Sequence, residues 1–269
     1  MNVSYDRYEF IKVENNEGIA TVTLNRPELL NAINPEVHAE LEYLFVDIAR
    51  DESIKVVILT GAGKAFSAGG DIKRMAERAG TQHGFEYALR VPEKTRRIYN
   101  SLLEVEQPII AAINGDAIGL GANIALFCDM TIISETAKMG DTHVRVGLVA
   151  GDGGAVIWPL ILGPQKAKEF LMRGLLVKGA EAARIGLVNH AVPAEEVMVK
   201  AMEIAKELAG LPKWAVRWTK MSMNKAIKRD LNMTLDTSIA YESLSMQTYD
   251  YAEAAKSFVE KRKPEFKGR

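Results

Sequence analysis

Apolar residues divide the chain into two unlike parts. Up to about residue 195, short β-branched runs alternate with longer stretches of helical period; beyond it only helical period remains. Tyr8–Val13 alternates weakly, and Ile19–Leu24, opened by Gly18, predicts a better strand. Asn34 as cap and Pro35 in the first turn start a helix that runs to about Arg50, with Val37, Leu41, Leu44, Phe45 and Ile48 on one face. Ile54–Thr60 reads as a buried strand. It empties into GAGKAFSAGGDIKRM, where Asp71 opens a helix. Residues 76–106 are polar, with Leu89, Ile98, Leu102 and Leu103 interspersed. They predict helices entered through a mobile segment, 79–84, of the kind that often covers an active site.

Ile109–Ile113 is again a buried strand, followed by a loop with three glycines, 114–121, and by helix formers at 122–127. Then come an apolar stretch at 155–162, a helix 165–173 behind Pro164, a short strand 175–177, a short helix 180–185 and a strand 187–192. The remainder predicts helices at 194–209, 213–228, 231–248 and 251–262, broken at Gly210-Leu211-Pro212 and near Asp230. The division is therefore an α/β core, 1–195, and a helical C-terminal region, 196–269. Helices without a large core of their own pack on the core or on another subunit. Six methionines among them suit adaptable packing.

Composition narrows the function classes. Apolar residues make up 48% and charged residues 26% of the 269, the balance of a soluble globular enzyme. A net charge of −1 gives no electrostatic case for nucleic acid or an anionic membrane surface. One cysteine, Cys128, forms no intramolecular disulfide and fits a reducing compartment. The N-terminus lacks the apolar core of a signal peptide, so a cytoplasmic location is expected. Four histidines, His38, His83, His143 and His190, have no metal-ligand spacing, so no metal is expected.

The candidate chemistry lies in the glycine loops. Both 61–71 and 114–121 follow a buried strand and lead into a helix, the arrangement in which backbone N–H groups and a helix N-terminus face an anion. Two such turns suggest a repeated β-β-α unit that offers two amides to one developing oxyanion. Equally, strand–glycine–helix is ordinary α/β punctuation. His143 and Asp152 stand nine residues apart, with Asp152 inside a third glycine-rich stretch, 147–154. Imidazole moves protons near neutral pH, and a carboxylate orients it and stabilises its charged form. Neither a phosphate-binding GxxxxGK[ST] loop nor a GxSxG nucleophile elbow is present.

Asn25-Arg26-Pro27 with Asn31-Ala32, FSAGGDIK at 66–73, AINGDAIGLGANIALFCD at 112–129, GLVAGDGG at 147–154 and the ending SFVEKRKPEFKGR resemble the crotonase (enoyl-CoA hydratase/isomerase) superfamily over nearly the whole chain. The resemblance implies a spiral of β-β-α units with a C-terminal helical trimerisation region, assembled as a homotrimer or a dimer of trimers. It implies an acyl-CoA substrate, with coenzyme A part of that substrate and no separate cofactor. By motif position the oxyanion hole would be Gly70 and Leu120. The coenzyme would run along Arg26, Ala68, Asp71 and Ile72, and its adenine end would meet Phe258 and Lys261, often from a neighbouring subunit.

One departure from the family pattern bears on the reaction. Its hydratases carry glutamates where this chain has Asn123 and His143. An amide hydrogen-bonds but does not exchange a proton at ordinary pH. Hydration needs both an activated water and a proton for carbon, so two-carboxylate hydration is not expected here. The His143–Asp152 pair, with Glu242 in a tail helix, is similar to the 6-oxocamphor-type β-diketone hydrolases, although Gly121 stands where that branch has another histidine. The readings left open are a crotonase-type acyl-CoA enzyme with His143/Asp152 acid–base chemistry, a β-diketone hydrolase independent of coenzyme A, and a catalytically inactive family member.

Overall fold

Glu17 and Gly18 set the first turn. Both have positive φ, +55° and +91°, as a two-residue hairpin of the right twist requires. The computed structural model, which describes residues 3–269, joins β1 (Ile11–Asn16) and β2 (Ile19–Leu24) across it. The first strand therefore extends three residues past Val13, where polar, exposed side chains hide the strand period. Asn34 accepts a hydrogen bond from the Val37 amide and caps α1 (Pro35–Arg50) as expected. Next come β3 (Val56–Gly61), β4 (Ala65–Ser67) and α2 (Ile72–Arg78), capped by Asp71. Thr81 caps a single long helix, α3 (Gln82–Glu104), so residues 79–84 are a tight connection and a helix start.

The central stretch forms β5 (Ile109–Ile113), β6 (Asp116–Ile118), α4 (Leu120–Phe127), β7 (Met130–Ser134) and β8 (Lys138–Gly140). The apolar stretch after it is α5 (Gly154–Leu162). Then follow α6 (Pro164–Arg173), β9 (Val177–Lys178), α7 (Gly179–Arg184) and β10 (His190–Val192).

Two sheets result. One has the order β1-β2-β3-β5-β7-β10, parallel except for the β1–β2 hairpin; the other has the order β4-β6-β8-β9. Successive units thus place one longer strand in the first sheet and one short strand in the second. Parallel strands covered on both faces are continuously apolar, as in β3 and β5, where every residue is buried.

The tail forms α8 (Val197–Gly210), α9 (Lys213–Ser245) and α10 (Tyr249–Val259). No break occurs near Asp230. Leu231, Leu235 and Ile239 continue a buried stripe at helical spacing, and this packing outweighs the weak helix propensity of Asp230. The tail packs on the α/β part: Val197, Ala201 and Ala205 of α8 meet Ile58, Ile110 and Ile132, α9 lies along α3, and α10 lies against α2. Among the described residues, no helix is long and apolar enough to cross a membrane.

Candidate active site

Two backbone turns build the first half of the site. The segment before α2 pairs with Ile33: the Ile33 amide donates to the Gly69 carbonyl at 2.7 Å, and the Asp71 amide to the Ile33 carbonyl at 3.3 Å. In extended backbone successive amides alternate in direction, so the Gly70 N–H turns away from Ile33. The second turn precedes α4, where Leu120 is the first helical residue and its N–H has no intrahelical acceptor. Neither amide donates to a protein group among the described residues.

The two turns touch closely. A Cβ on Gly69 would lie 2.6 Å from the Ile118 carbonyl oxygen, and one on Gly121 would lie 2.5 Å from the Ser67 Cβ. No side chain fits at Gly121, whatever the neighbouring chemistry. Gly70 and Leu120 line one cavity of about 70 Å³ together with His143, Asp152 and Glu242.

His143 occupies a short 3-10 turn after β8. Its Nδ1 lies 2.5 Å from Asp141 Oδ1, and its Nε2 lies 3.1 Å from Asp152 Oδ2. Burial alone would favour the neutral ring. The charges of Asp141 and Asp152 and their hydrogen bonds outweigh it, so the His143 pKa is raised well above its ordinary value. Both nitrogens then donate, and His143 is an imidazolium with no free lone pair.

Asn123 fastens the two carboxylates from behind. Its Nδ2 donates to Asp141 Oδ2 at 2.9 Å and to Asp152 Oδ1 at 2.8 Å, while its Oδ1 accepts from Trp158 Nε1 at 3.0 Å. Asn123 does not line the cavity; it is a strut. The Tyr99 hydroxyl donates to the Asp152 carbonyl. Asp141, Asp152 and His143 bring ligand-type atoms within 4.8 Å of one another, but each of these atoms already serves another, and the imidazolium fills the place a cation would take.

Glu242 comes from α9. Burial first, and the charge of Asp152 second, push its carboxyl well above the ordinary range, which favours the protonated form. Its Oε2 is buried and has no hydrogen-bond partner among the described residues. The Asp141 carboxyl moves the other way: burial opposes ionisation, but the His143 charge and the hydrogen bonds from His143 and Asn123 hold it below the ordinary carboxylate value.

These directions fix the pH response of the cluster. The raised His143 pKa gives stability that is complete below 6.5 and is lost as pH rises toward the folded value. The lowered Asp141 pKa gives stability present above 3.8 and lost as pH falls through the folded value. Raised Glu242 favours the fold at low pH and less so as pH climbs past 4.5. Their joint contribution should therefore peak in mildly acid solution. The check is the thermal midpoint against pH for the protein and for His143→Gln; a difference between them that does not shrink above pH 6.5 contradicts the assignment.

A family model described as enoyl-CoA hydratase/isomerase matches residues 14–269. The chain belongs to the enoyl-CoA hydratase/isomerase family. A short-chain-enoyl-CoA hydratase of Clostridium acetobutylicum is 37% identical over 257 residues, covering 93% of this chain and 95% of that protein. A 1,2-epoxyphenylacetyl-CoA isomerase of Escherichia coli is 32% identical over 266 residues, covering 97% of this chain and 99% of that protein. The crystal structure of an enoyl-CoA hydratase/isomerase from Mycobacterium paratuberculosis superposes with a TM-score of 0.88 at 33% identity, over 94% of this chain and all of that one. The crotonase fold expected from the sequence is therefore the fold observed.

Within this enoyl-CoA hydratase/isomerase chain, the residues expected along the coenzyme are spread out. Asp71 lines the cavity, while Ala68 and Ile72 flank the Gly70 turn. Arg26 is buried; it donates to the Ala32 carbonyl at 2.6 Å and lies 3.9 Å from Asp71, bracing the loop. Phe258 is exposed near the end of α10, with Lys261 just beyond, and neither lines the cavity.

Sequence reasoning passed over Asp141, His38, Arg78, Tyr87 and Tyr251. His38, on α1, lines the cavity; its Nδ1 is 3.5 Å from Glu42, too long for a good hydrogen bond. The one available signal for Asp141 was its position two residues before His143.

Proposed function

We propose that the chain turns over an acyl-CoA thioester through an oxyanion, an enolate in isomerisation or retro-Claisen cleavage and a tetrahedral adduct in hydrolysis, with proton transfer by His143 rather than by two glutamates. The reading is carried by one observation: Gly70 and Leu120, whose amides are unengaged among the described residues, line the same cavity as the His143–Asp152 pair. The thioester oxygen takes negative charge between the amides, where preorganised donors stabilise the transition state most. His143 Nε2 gives its proton to the enolate carbon, and Glu242, protonated at rest, is a second acid. His38, whose Nδ1 faces Glu42 at 3.5 Å and whose other ring nitrogen has no carboxylate partner among the described residues, is the candidate base. Coenzyme A runs past Arg26, Ala68, Asp71 and Ile72, and its adenine end reaches Phe258 and Lys261.

An acid-loaded site of this kind suits isomerisation, thioester hydrolysis or retro-Claisen carbon–carbon cleavage. It does not suit addition of water by paired carboxylates, because Asn123 is committed to Asp141 and Asp152.

The test is a panel of CoA thioesters and free β-diketones with product identification by mass spectrometry. Turnover of a thioester to an isomerised, hydrolysed or cleaved product supports the reading. Fast hydration of crotonyl-CoA sinks its mechanism. Cleavage of diketones alone points to an enzyme independent of coenzyme A, and no turnover or binding of either class points to an inactive member.

The assembly we propose is a homotrimer or a dimer of trimers. Trp214, Trp218, Met223, Met233 and Leu244 leave large apolar side chains exposed along α9, which burial against a second copy would cover. Sedimentation equilibrium should return three or six times the chain mass; a monomer at micromolar concentration contradicts it.

A further inference from the structure

We propose that Arg78 receives a carboxylate at the far end of the acyl group, so that the substrate is the CoA monothioester of a short dicarboxylic acid. The proposal rests on the acyl-CoA reading above and names the substrate class of that site.

Three arginines are not exposed: Arg26, Arg78 and Arg217. Arg26 faces Asp71 at 3.9 Å, and Arg217 faces Glu106 at 3.8 Å. Arg78 has no carboxylate within ion-pair distance among the described residues. Its side chain is nevertheless held. Nε donates to the Arg74 carbonyl at 3.1 Å, and Cζ lies 3.9 Å from the centre of the Tyr87 ring. Stacking and one backbone bond fix the plane of the guanidinium and leave its terminal nitrogens without an anion. A planar, pre-oriented fork of this kind matches a carboxylate.

Arg78 lines the same cavity as Gly70 and Leu120. With Tyr87, Met246 and Tyr251 it also lines an adjoining cleft. This wall therefore marks a boundary of the acyl space. Glu242 supplies an independent sign of an oxygen-rich ligand. It is 4% exposed, its Oε2 has no partner among the described residues, and it lines the same cavity. Protonated, it donates to a ligand oxygen and does not repel a carboxylate.

Size limits the acyl group. One water-sized occupant needs about 10–15 Å³ in this measure, so the 70 Å³ cavity takes roughly five to seven non-hydrogen atoms. A carboxylate uses three of these and leaves about two to four for carbon. The competing explanation is that Arg78 complements the α2 C-terminus and stacks on Tyr87 for stability alone. In that case its removal would lower stability without changing the choice of acyl group.

The experiment compares kcat/KM, and binding by calorimetry, for CoA monothioesters of three- to five-carbon dicarboxylic acids and for their neutral methyl half-esters. The wild-type protein should favour the carboxylates by about 10- to 100-fold, the usual range for a hydrogen-bonded charge. In Arg78→Met that ratio should fall to near one, and Arg78→Lys should fall between. Thermal midpoints identify any variant that fails to fold, and Arg78→Lys then supplies the comparison. A wild-type ratio at or below one overturns the Arg78 assignment and leaves the acyl-CoA reading standing, as does an unchanged ratio in Arg78→Met. Failure of every thioester to bind or turn over overturns both.

Discussion

His143→Gln should lower turnover by about 10²–10⁴-fold, the usual contribution of a positioned acid or base. Glutamine keeps a donor for one of the two carboxylates but has no proton to give at neutral pH. It is a better probe than alanine. Alanine leaves Asp141 and Asp152 buried with neither the charge nor a donor, at a cost of about 3–5 kcal/mol, and a dead enzyme could then be an unfolded one. The readout is single-turnover kinetics on whichever thioester the panel identifies, with circular dichroism as control. Activity within tenfold of the parent protein would remove His143 from the chemistry.

Asn123→Ala should be the most destabilising single change at the site. It strips one hydrogen bond from each of two buried carboxylates and removes the acceptor of the Trp158 indole. Bonds to charged groups contribute about 1.5–3 kcal/mol and a stranded neutral donor about 1–3 kcal/mol, so a loss of about 4 kcal/mol or more is expected. Equilibrium urea unfolding measures it. A loss below about 1 kcal/mol would mean that the strut has no structural weight and that Asn123 is free to face the substrate.

The glycine loops were legible in the sequence because their constraint is local. Gly69 and Gly119 have positive φ and sit where a Cβ would meet backbone or His143, and strand–glycine–helix can be read within ten residues. The buried strands β3 and β5 were legible as unbroken apolar runs. Strands β4, β6 and β8, three residues each, are too short for any period to register. Their pairing depends on the neighbouring unit, not on their own residues.

The site was legible only in part, for the same reason. His143 and Asp152 lie close in sequence and could be paired on paper. Asp141 was missed because nothing local distinguishes the acid that saturates the second ring nitrogen from a surface aspartate. Asn123 occupies the place of a family acid, yet its amide turns to two carboxylates whose convergence appears only in three dimensions. Arg78, Tyr87 and Tyr251 reach the cavity from α2, α3 and α10, and no spacing rule connects those helices.

Glu242, Met246 and Tyr251 close the cavity from the last part of the chain. Synthesis on the ribosome delivers them after both amide turns and after His143. A nascent chain that has emerged through β10 already holds both amide turns, the imidazolium and its two carboxylates, but those groups still stand in water. α9 and α10 complete the wall that cuts the cluster off from solvent, so any chemistry that depends on its low-dielectric setting requires both helices to be docked.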